Sequence, residues 1–407
     1  MTQDSTRQDS AALRADLNAV IGEVAAIYHE RDTEARMITV GVLAQQHTLL
    51  LGPPGTGKSA IVRELTGRIE SGRYWEILLS KFTAPTAIFG PIDVGALAQG
   101  TYRQILDGHA TTAHVAFLDE IFKCSAAALN SMLAYLNERI YHPESGGAPI
   151  SCPLVSAVCA SNELGEDEAT AALYDRLLIR MEVDYLAEAD SFDRLLMSAV
   201  TGGGQAPTRT TVELTGLLQV AAHEIPAVDL PAPVREAIRD VRSDLRQREI
   251  TSSDRRWKQA VRVLQAAAWL EGRAAVAVDD LAVLTHVLWD VPSNKSTVSR
   301  VIRGYLSPDD RDLANLEDQV DRIAAELDKL IADGDEDELR TWAVNRNVEL
   351  AQVAKRISAI RDVASRGGRA LAPYQQAADR AQQVYTRLLS EALGVAPDKI
   401  PALGRRR

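Results

Sequence analysis

The sequence predicts an α/β fold: a parallel sheet covered by helices, then a smaller all-helical domain and a C-terminal helical hairpin or three-helix bundle. Three observations carry this expectation. Five short β-type runs in the first half of the chain are separated mostly by helical patterns, the alternation that builds a parallel sheet. Residues 209 to 290 read as helices. Through the last hundred residues, apolar side chains recur at alternating spacings of three and four.

Leu13, Leu17, Val20, Ile21, Val24 and Ile27 follow the helical period and predict one amphipathic helix over 11–30. The five β-type runs come next: His47 to Leu51, Tyr74 to Leu79, Val115 to Leu118, Leu154 to Ala160 and Leu178 to Val183. They place the sheet within roughly residues 35 to 190. TGGGQAPT at 201–208 reads as a connector, and the helices beyond it include Trp257 to Leu270 and Val278 to Trp289. Three seams then follow, each expected to be core packing. The first runs Leu313, Leu316, Val320, Ile323, Leu327, Leu330, and the second Leu350, Val353, Ile357, Ile360. The third runs Leu371, Tyr374, Ala378, Ala381, Tyr385, Leu388. DGDED at 333–337 and RGGR at 366–369 break them.

Composition excludes several classes of function. No apolar run reaches the ~18 residues of a membrane helix, and the polar start MTQDSTRQDS lacks the features of a secretory signal, so a cytosolic protein is expected. Cys124, Cys152 and Cys159 have neither zinc-site spacing nor an even count and read as reduced packing residues. A net charge of −11 argues against a general nucleic-acid binder, because phosphate contacts need an electropositive surface. The terminal Arg405 to Arg407 reads as a solvated end.

LLLGPPGTGKS at 49–59 holds Gly-x-x-x-x-Gly-Lys-Ser between an apolar strand and an apolar helical pattern, the context a phosphate-binding loop requires. Gly52, Gly55 and Gly57 let the backbone curl so that its N–H groups and the helix N-terminus converge on phosphates, and Pro53, Pro54 and Thr56 complete the nucleotide-binding loop. Lys58 would reach the terminal phosphates of ATP, and Ser59 would ligate Mg²⁺. VAFLDE at 115–120 supplies the carboxylates such a site needs: Asp119 for the Mg²⁺ shell and Glu120 to polarise the attacking water. After them, Leu129, Leu133, Leu136 and Ile140 share one helical face and read as core.

LLLGPPGTGKS, FLDEIFKCSAAALNSMLAYLNERIYH, ASNE and LYDRLLIR together resemble the MoxR family of AAA+ ATPases, with the RavA-like branch as the nearest likeness, over residues 11 to about 305. The resemblance implies an αβα P-loop domain over 1–195, an all-α lid over 205–305 and a hexameric ring with ATP between subunits, leaving 306–407 as the C-terminal bundle. It implies Asn162 as sensor 1 near the γ-phosphate. Arg176 matches the arginine finger that reaches a neighbour's ATP, with Arg180 as second choice and an ion pair to Asp175 or Asp184 as the alternative. For sensor 2, the lid arginine, SSDRRWK offers Arg255 or Arg256, and spacing prefers Arg255. Residues 83–108 resemble the helix-2 insertion and 140–150 the hairpin before sensor 1, both directed toward the pore in relatives. RavA-like relatives can carry a compact β-rich module in their C-terminal region, and no strand-rich stretch is visible here after 305.

The function these implications favour is ATP-driven, chaperone-like remodelling or maturation of a client, alongside a von Willebrand factor A domain protein. Two alternatives stay open. A metal-chelatase ATPase subunit shares the helix-2 insertion. A nucleic-acid motor is opposed by the acidic charge and by the absence of a helix-turn-helix or a GAFTGA loop.

Overall fold

The computed structural model describes residues 3–143, 147–165, 168–201, 209–306, 308–366, 372–396, 399–400 and 403. Of the features expected above, most of the connector at 201–208, the tip of the 140–150 hairpin, Leu371, nearly all of RGGR and the terminal arginines lie outside the described residues. The chain divides into two compact units, Met1–Ile238 with Glu249–Lys295, and Arg239–Arg248 with Ser296–Arg407.

All five expected strands form: β1 (Thr48–Leu51), β2 (Tyr74–Leu78), β3 (Val115–Asp119), β4 (Ser156–Ser161) and β5 (Ile179–Glu182). They make one parallel sheet in the order β2-β3-β4-β1-β5. Every residue of β1 and β4 is buried, so both faces of the sheet centre are covered, whereas edge strand β2 alternates between half-buried and exposed positions. The pairing register sets where the strands end: Leu51 lies opposite both Ser161 and Glu182, and Leu118 opposite Cys159. The loops after β1, β3 and β4 therefore leave the same edge of the sheet, the carboxyl edge at which open α/β sheets bind ligands.

Helix α1 (Gln3–Ile27) begins eight residues before the expected start, and the following helix α2 (Asp32–Ala44) is not singled out by periodicity at all. The reason is burial: ten of its residues, Glu34, Ala35 and Met37 to Ala44, are enclosed, so no polar face marks a period. It packs on β1, β4 and β5, while α3 (Lys58–Thr66) packs on β3 and β4. The remaining helices of this unit that bear on the site are α4 (Ala126–Glu138), α5 (Glu168–Arg176) and α6 (Ala189–Thr201). Helix α7 (Ala232–Gln247) follows, then α8 (Asp254–Leu270), which packs on α2 and is capped by the Ser253 hydroxyl accepting from Arg256 N–H at 3.2 Å. The expected helix at 278–289 is a 3-10 stretch, Val278–His286.

The second unit takes the last part of α7, most of α9 (Pro292–Leu306) and three long helices, α10 (Pro308–Asp333), α11 (Glu336–Arg366) and α12 (Ala372–Arg387). The three seams bury one another. Leu313, Leu327, Leu350, Ile357, Ala381 and Leu388 are all fully enclosed in one core, so the bundle has three helices. Where α7, α9 and α10 meet, charges pair in partly buried positions. Arg300 bonds Asp318 at 2.9 Å and Asp321 at 2.7 Å, Arg303 bonds Glu317 at 2.8 Å, and Arg248 bonds Asp318 at 2.7 Å. The Tyr305 hydroxyl donates to Asp244 at 2.6 Å. Partly buried ions of this kind are costly to unpair, because each remaining charge keeps its desolvation penalty.

A chain ended after Leu306 removes Glu317, Asp318 and Asp321 while leaving Arg248, Arg300 and Arg303 in place. Hydrogen exchange should then show the segment 296–306 opening by ~2 kcal/mol or more relative to the full chain; equal protection in both chains would mean that the ion network holds nothing.

Candidate active site

The phosphate loop leaves β1 at Gly52, whose N–H donates to Ser161 O at 3.1 Å. A Cβ at Gly52 would lie 1.9 Å from the Val183 carbonyl oxygen, so only glycine lets β1 and the end of β5 stay this close. Gly57, at φ 83°, is the N-cap of α3 and turns the chain so that the helix N-terminus faces the loop's interior. Lys58 lies folded into that interior, its Nζ donating to Gly52 O and Pro53 O at 2.7 Å each. Burial pulls its ammonium below the ordinary lysine value, and Asp119 and Glu120 oppose that pull.

One cavity of about 440 Å³ is lined by Pro54 to Ala60, Arg63, Leu78, Asp119, Glu120 and Asn162. Two strand ends and one helix start thus bring together Gly55, Thr56, Gly57, Lys58, Ser59, Asp119, Glu120 and Asn162, with Gly52 and Pro53 holding the lysine. Asp119 ends β3, and its Oδ1 accepts the Glu120 N–H at 3.0 Å. Glu120 has φ 54°, a left-handed conformation that turns its side chain out of the strand direction. Its Oε1 accepts from Asn162 Nδ2 at 2.8 Å, and its Oε2 is buried with no partner among the described residues. An orphaned carboxylate oxygen beside a buried lysine and a helix N-terminus fits a magnesium–nucleotide with its reacting water. Ser59 and Asp119 are the residues that would hold the metal.

The arginines expected to act on ATP stand elsewhere. Neither Arg176 nor Arg255 lines this cavity; the two line a second, small one of about 40 Å³ with Gln46, His47, Asn137 and Arg139. Arg255 donates to the Asn137 side-chain oxygen. Arg176 donates to the Ala172 carbonyl and, among the described residues, pairs with no carboxylate, its Nε being buried without a partner. Asp175 pairs with Arg256 instead. Arg256 is itself 2% exposed and donates to Val287 O at 2.9 Å, inside its own chain. Arg180 is fully enclosed: it stacks on Tyr174 at 3.7 Å and donates to Tyr174 O, Leu177 O and Asp290. Burial, with Arg256 nearby, brings Arg180 down to about 10. Beneath the small cavity, His47 accepts the Ala157 N–H at Nδ1 (2.9 Å), so Nε2 carries the proton toward Leu136 O at 2.6 Å. Burial holds this histidine neutral, down to about 3.

Sequence reasoning did not find a third, apolar cavity of about 480 Å³ that shares Gly55, Thr56 and Gly57 with the phosphate loop. Ile27, Tyr28, His29, Tyr185, Phe192 and Leu195 wall it. Arg31 braces its floor, donating to Thr56 O at 3.4 Å, to Glu30 O at 2.9 Å and to the Asp184 carbonyl. The only signal in the sequence is apolar residues on α1 and α6, which lie far apart along the chain and which nothing local connects. The insertion at 83–108 folds back on itself through Asp93 N–H to Arg103 O and Ile105 N–H to Pro91 O, both 2.8 Å, leaving Val94 76% exposed. The expected hairpin at 140–150 pairs Ile140–Tyr141 with Ile150–Ser151 in antiparallel register.

Two family models match the chain in succession. Residues 15–221 match the family model described as the MoxR domain in the MoxR-vWA-beta-propeller ternary systems, and 233–302 match an AAA lid domain. An uncharacterized protein of Methanocaldococcus jannaschii is 33% identical, over 70% of this chain and 73% of its own length. Chaperone MoxR1 of Mycobacterium tuberculosis is 26% identical over 51% of this chain and 54% of its own. A solved structure of a candidate ATPase from Cytophaga hutchinsonii aligns with TM-score 0.59 at 17% identity, over 74% of this chain and 97% of that one, a likeness of fold.

Lys58→Ala should abolish tight MgATP binding, whereas Glu120→Gln should keep it and lower turnover by roughly 10²–10⁴-fold. Nucleotide titration beside steady-state hydrolysis measures both, and equal loss of binding in the two variants would contradict the assigned roles.

Proposed function

This chain belongs to the MoxR family of AAA+ ATPases, and from that premise we propose that it hydrolyses ATP as a ring, usually hexameric, to remodel or mature a client protein. One observation carries the reading: the catalytic parts are divided between two places on one subunit. Lys58, Ser59, Asp119, Glu120 and Asn162 gather at one cavity, while Arg176 and Arg255 gather at another with no carboxylate among its lining residues. A cation group that lacks an anion among the described residues and is absent from its own phosphate site is suited to a neighbour's nucleotide. In this reading Arg176 is the finger and Arg255 the sensor 2 arginine.

The remaining residues have complementary roles. Bound Mg²⁺ would neutralise phosphate charge and polarise the reacting phosphoryl group. Lys58 would exchange its loop carbonyls for phosphate oxygens. The free Oε2 of Glu120 would take the attacking water's proton. The apolar cavity beside the loop, walled by Tyr28, Tyr185 and Phe192, would receive the base. Residues 1–195 would serve as nucleotide domain, 205–305 as lid and 306–407 as an arm for partner docking.

The family description supports a von Willebrand factor A domain protein as partner, with a β-propeller protein in the same system. The motifs quoted above favour the RavA-like branch, although among the described residues no strand follows Glu213, so a partner needing the β-rich module is not expected. No helix among the described residues is long and apolar enough to cross a membrane, which suits the proposed cytoplasmic site of action. A chelatase role would require a chelatase catalytic subunit as partner, and recovery of one in a pull-down with the Glu120→Gln chain would favour it.

Mixing an inactive Arg176→Ala chain with an inactive Lys58→Ala chain should restore part of the ATPase rate, because the second supplies the arginine that the first lacks. Mixtures that stay inactive while native mass spectrometry shows mixed rings would remove the assignment in trans.

A further inference from the structure

We propose that Lys123 is a positioning residue for Glu120, holding its carboxylate while Asn162 changes partner from Glu120 to the nucleotide. The inference rests on the reading of Glu120 as the group that serves the attacking water. Its starting point is an asymmetry within one carboxylate. Oε1 receives Asn162 Nδ2 at 2.8 Å and also lies 3.3 Å from Lys123 Nζ, whereas Oε2 is buried and has no partner among the described residues. An amide donor and an ammonium converge on one oxygen and leave the other free to accept a proton.

The backbone delivers Lys123 to this place. Glu120 is left-handed, and the chain then makes a 3-10 turn, Ile121–Lys123, closed by Lys123 N–H donating to Glu120 O at 2.8 Å. Ile121 is fully buried. Ser125 caps α4 and also donates to Thr83 O at 3.0 Å, which fastens the far end of the turn. The i to i+3 spacing across a fixed 3-10 turn puts the two side chains on the same side.

Asn162 Nδ2 carries two hydrogens fixed in the amide plane, so rotating the amide to point either of them at a nucleotide displaces the one now on Oε1. If its amide turns to the nucleotide, Oε1 loses that bond, and a carboxylate with no remaining donor would rotate about its side-chain torsions. The ammonium of Lys123 has three donors on a flexible stem and is 44% exposed, so it can follow Oε1 at small cost in solvation. An ion pair this open to solvent contributes little to folding. Its effect is therefore expected in turnover, where small displacements of a reacting group are costly, and not in stability.

The test uses the full chain with Lys123→Met, Lys123→Gln and Lys123→Arg, measuring MgATP affinity with a fluorescent ATP analogue beside steady-state hydrolysis. Lys123→Met and Lys123→Gln should lower kcat roughly tenfold with Kd within about twofold of the parent, and Lys123→Arg should recover most of the rate. Unchanged or raised kcat in both neutral variants would overturn the proposal, as would a Kd that weakens in step with kcat. So would a Lys123→Met effect of the same size in the Glu120→Gln background, since it could not then pass through the carboxylate. Glu120→Gln alone tests the role of the carboxylate: if it hydrolyses ATP at the parent rate, Glu120 does not serve the attacking water, and the role of Lys123 fails with it.

Discussion

Because Leu51 is held opposite Ser161 on one side and Glu182 on the other, the chain leaves three neighbouring strand positions at one level of the sheet. The nucleotide site depends on that register. A slip of one residue between β1 and β4 would reverse which face each side chain meets and would separate Gly52 from Asn162. Several contacts resist the slip. Gly52 N–H is bonded to Ser161 O, Val183 N–H is bonded to Leu51 O at 2.7 Å, and the missing Cβ of Gly52 lets Val183 approach. At the other end of β1, His47 ties the sheet to the C-terminal end of α4 through Leu136 and to β4 through Ala157. The site is assembled by backbone geometry first, and side-chain chemistry is laid on it.

The arginines divide by the same physical criterion, whether their charge is already answered within the chain. Arg180 and Arg256 are buried against carbonyls and against Asp175 and Asp290, so their charges are used to join the last turn of α5 and β5 to α8 and the segment after the 3-10 stretch. Arg176 has no such answer among the described residues, and Arg255 has only an amide oxygen. Two arginines adjacent in sequence, 255 and 256, thus have opposite fates because one faces the packed interior of α8 and the other its open side.

Much of this could be read from the sequence because the relevant signals are local. All five strands, the phosphate loop and the acidic pair each depend on a handful of consecutive residues. The three seams at the end of the chain kept their helical period because each helix has one solvated side. Helix α2 was not legible because burial on nearly every side erases amphipathic contrast. The apolar cavity beside the phosphate loop was not legible because its walls come from Tyr28 and Phe192, which only the tertiary fold brings together. Sequence spacing favoured Arg255 over Arg256 but could not reveal that Arg255 stands beside Arg176, since that neighbourhood is made by α5 and α8 across the fold.

The ion network of the second unit also bears on the order in which the chain can fold. Arg248 and Asp318 are separated by 70 positions, and the residues between them include Glu249–Lys295, which belong to the first unit. Closing so long a loop carries an entropic cost that falls once the intervening segment is itself compact. A nascent chain therefore has reason to finish its sheet-bearing unit before the charges of α7, α9 and α10 meet. Until Asp318 has been synthesised and reaches them, Arg248 and Arg300 lack this partner, which makes closure of the ion network a late event in the chain's maturation.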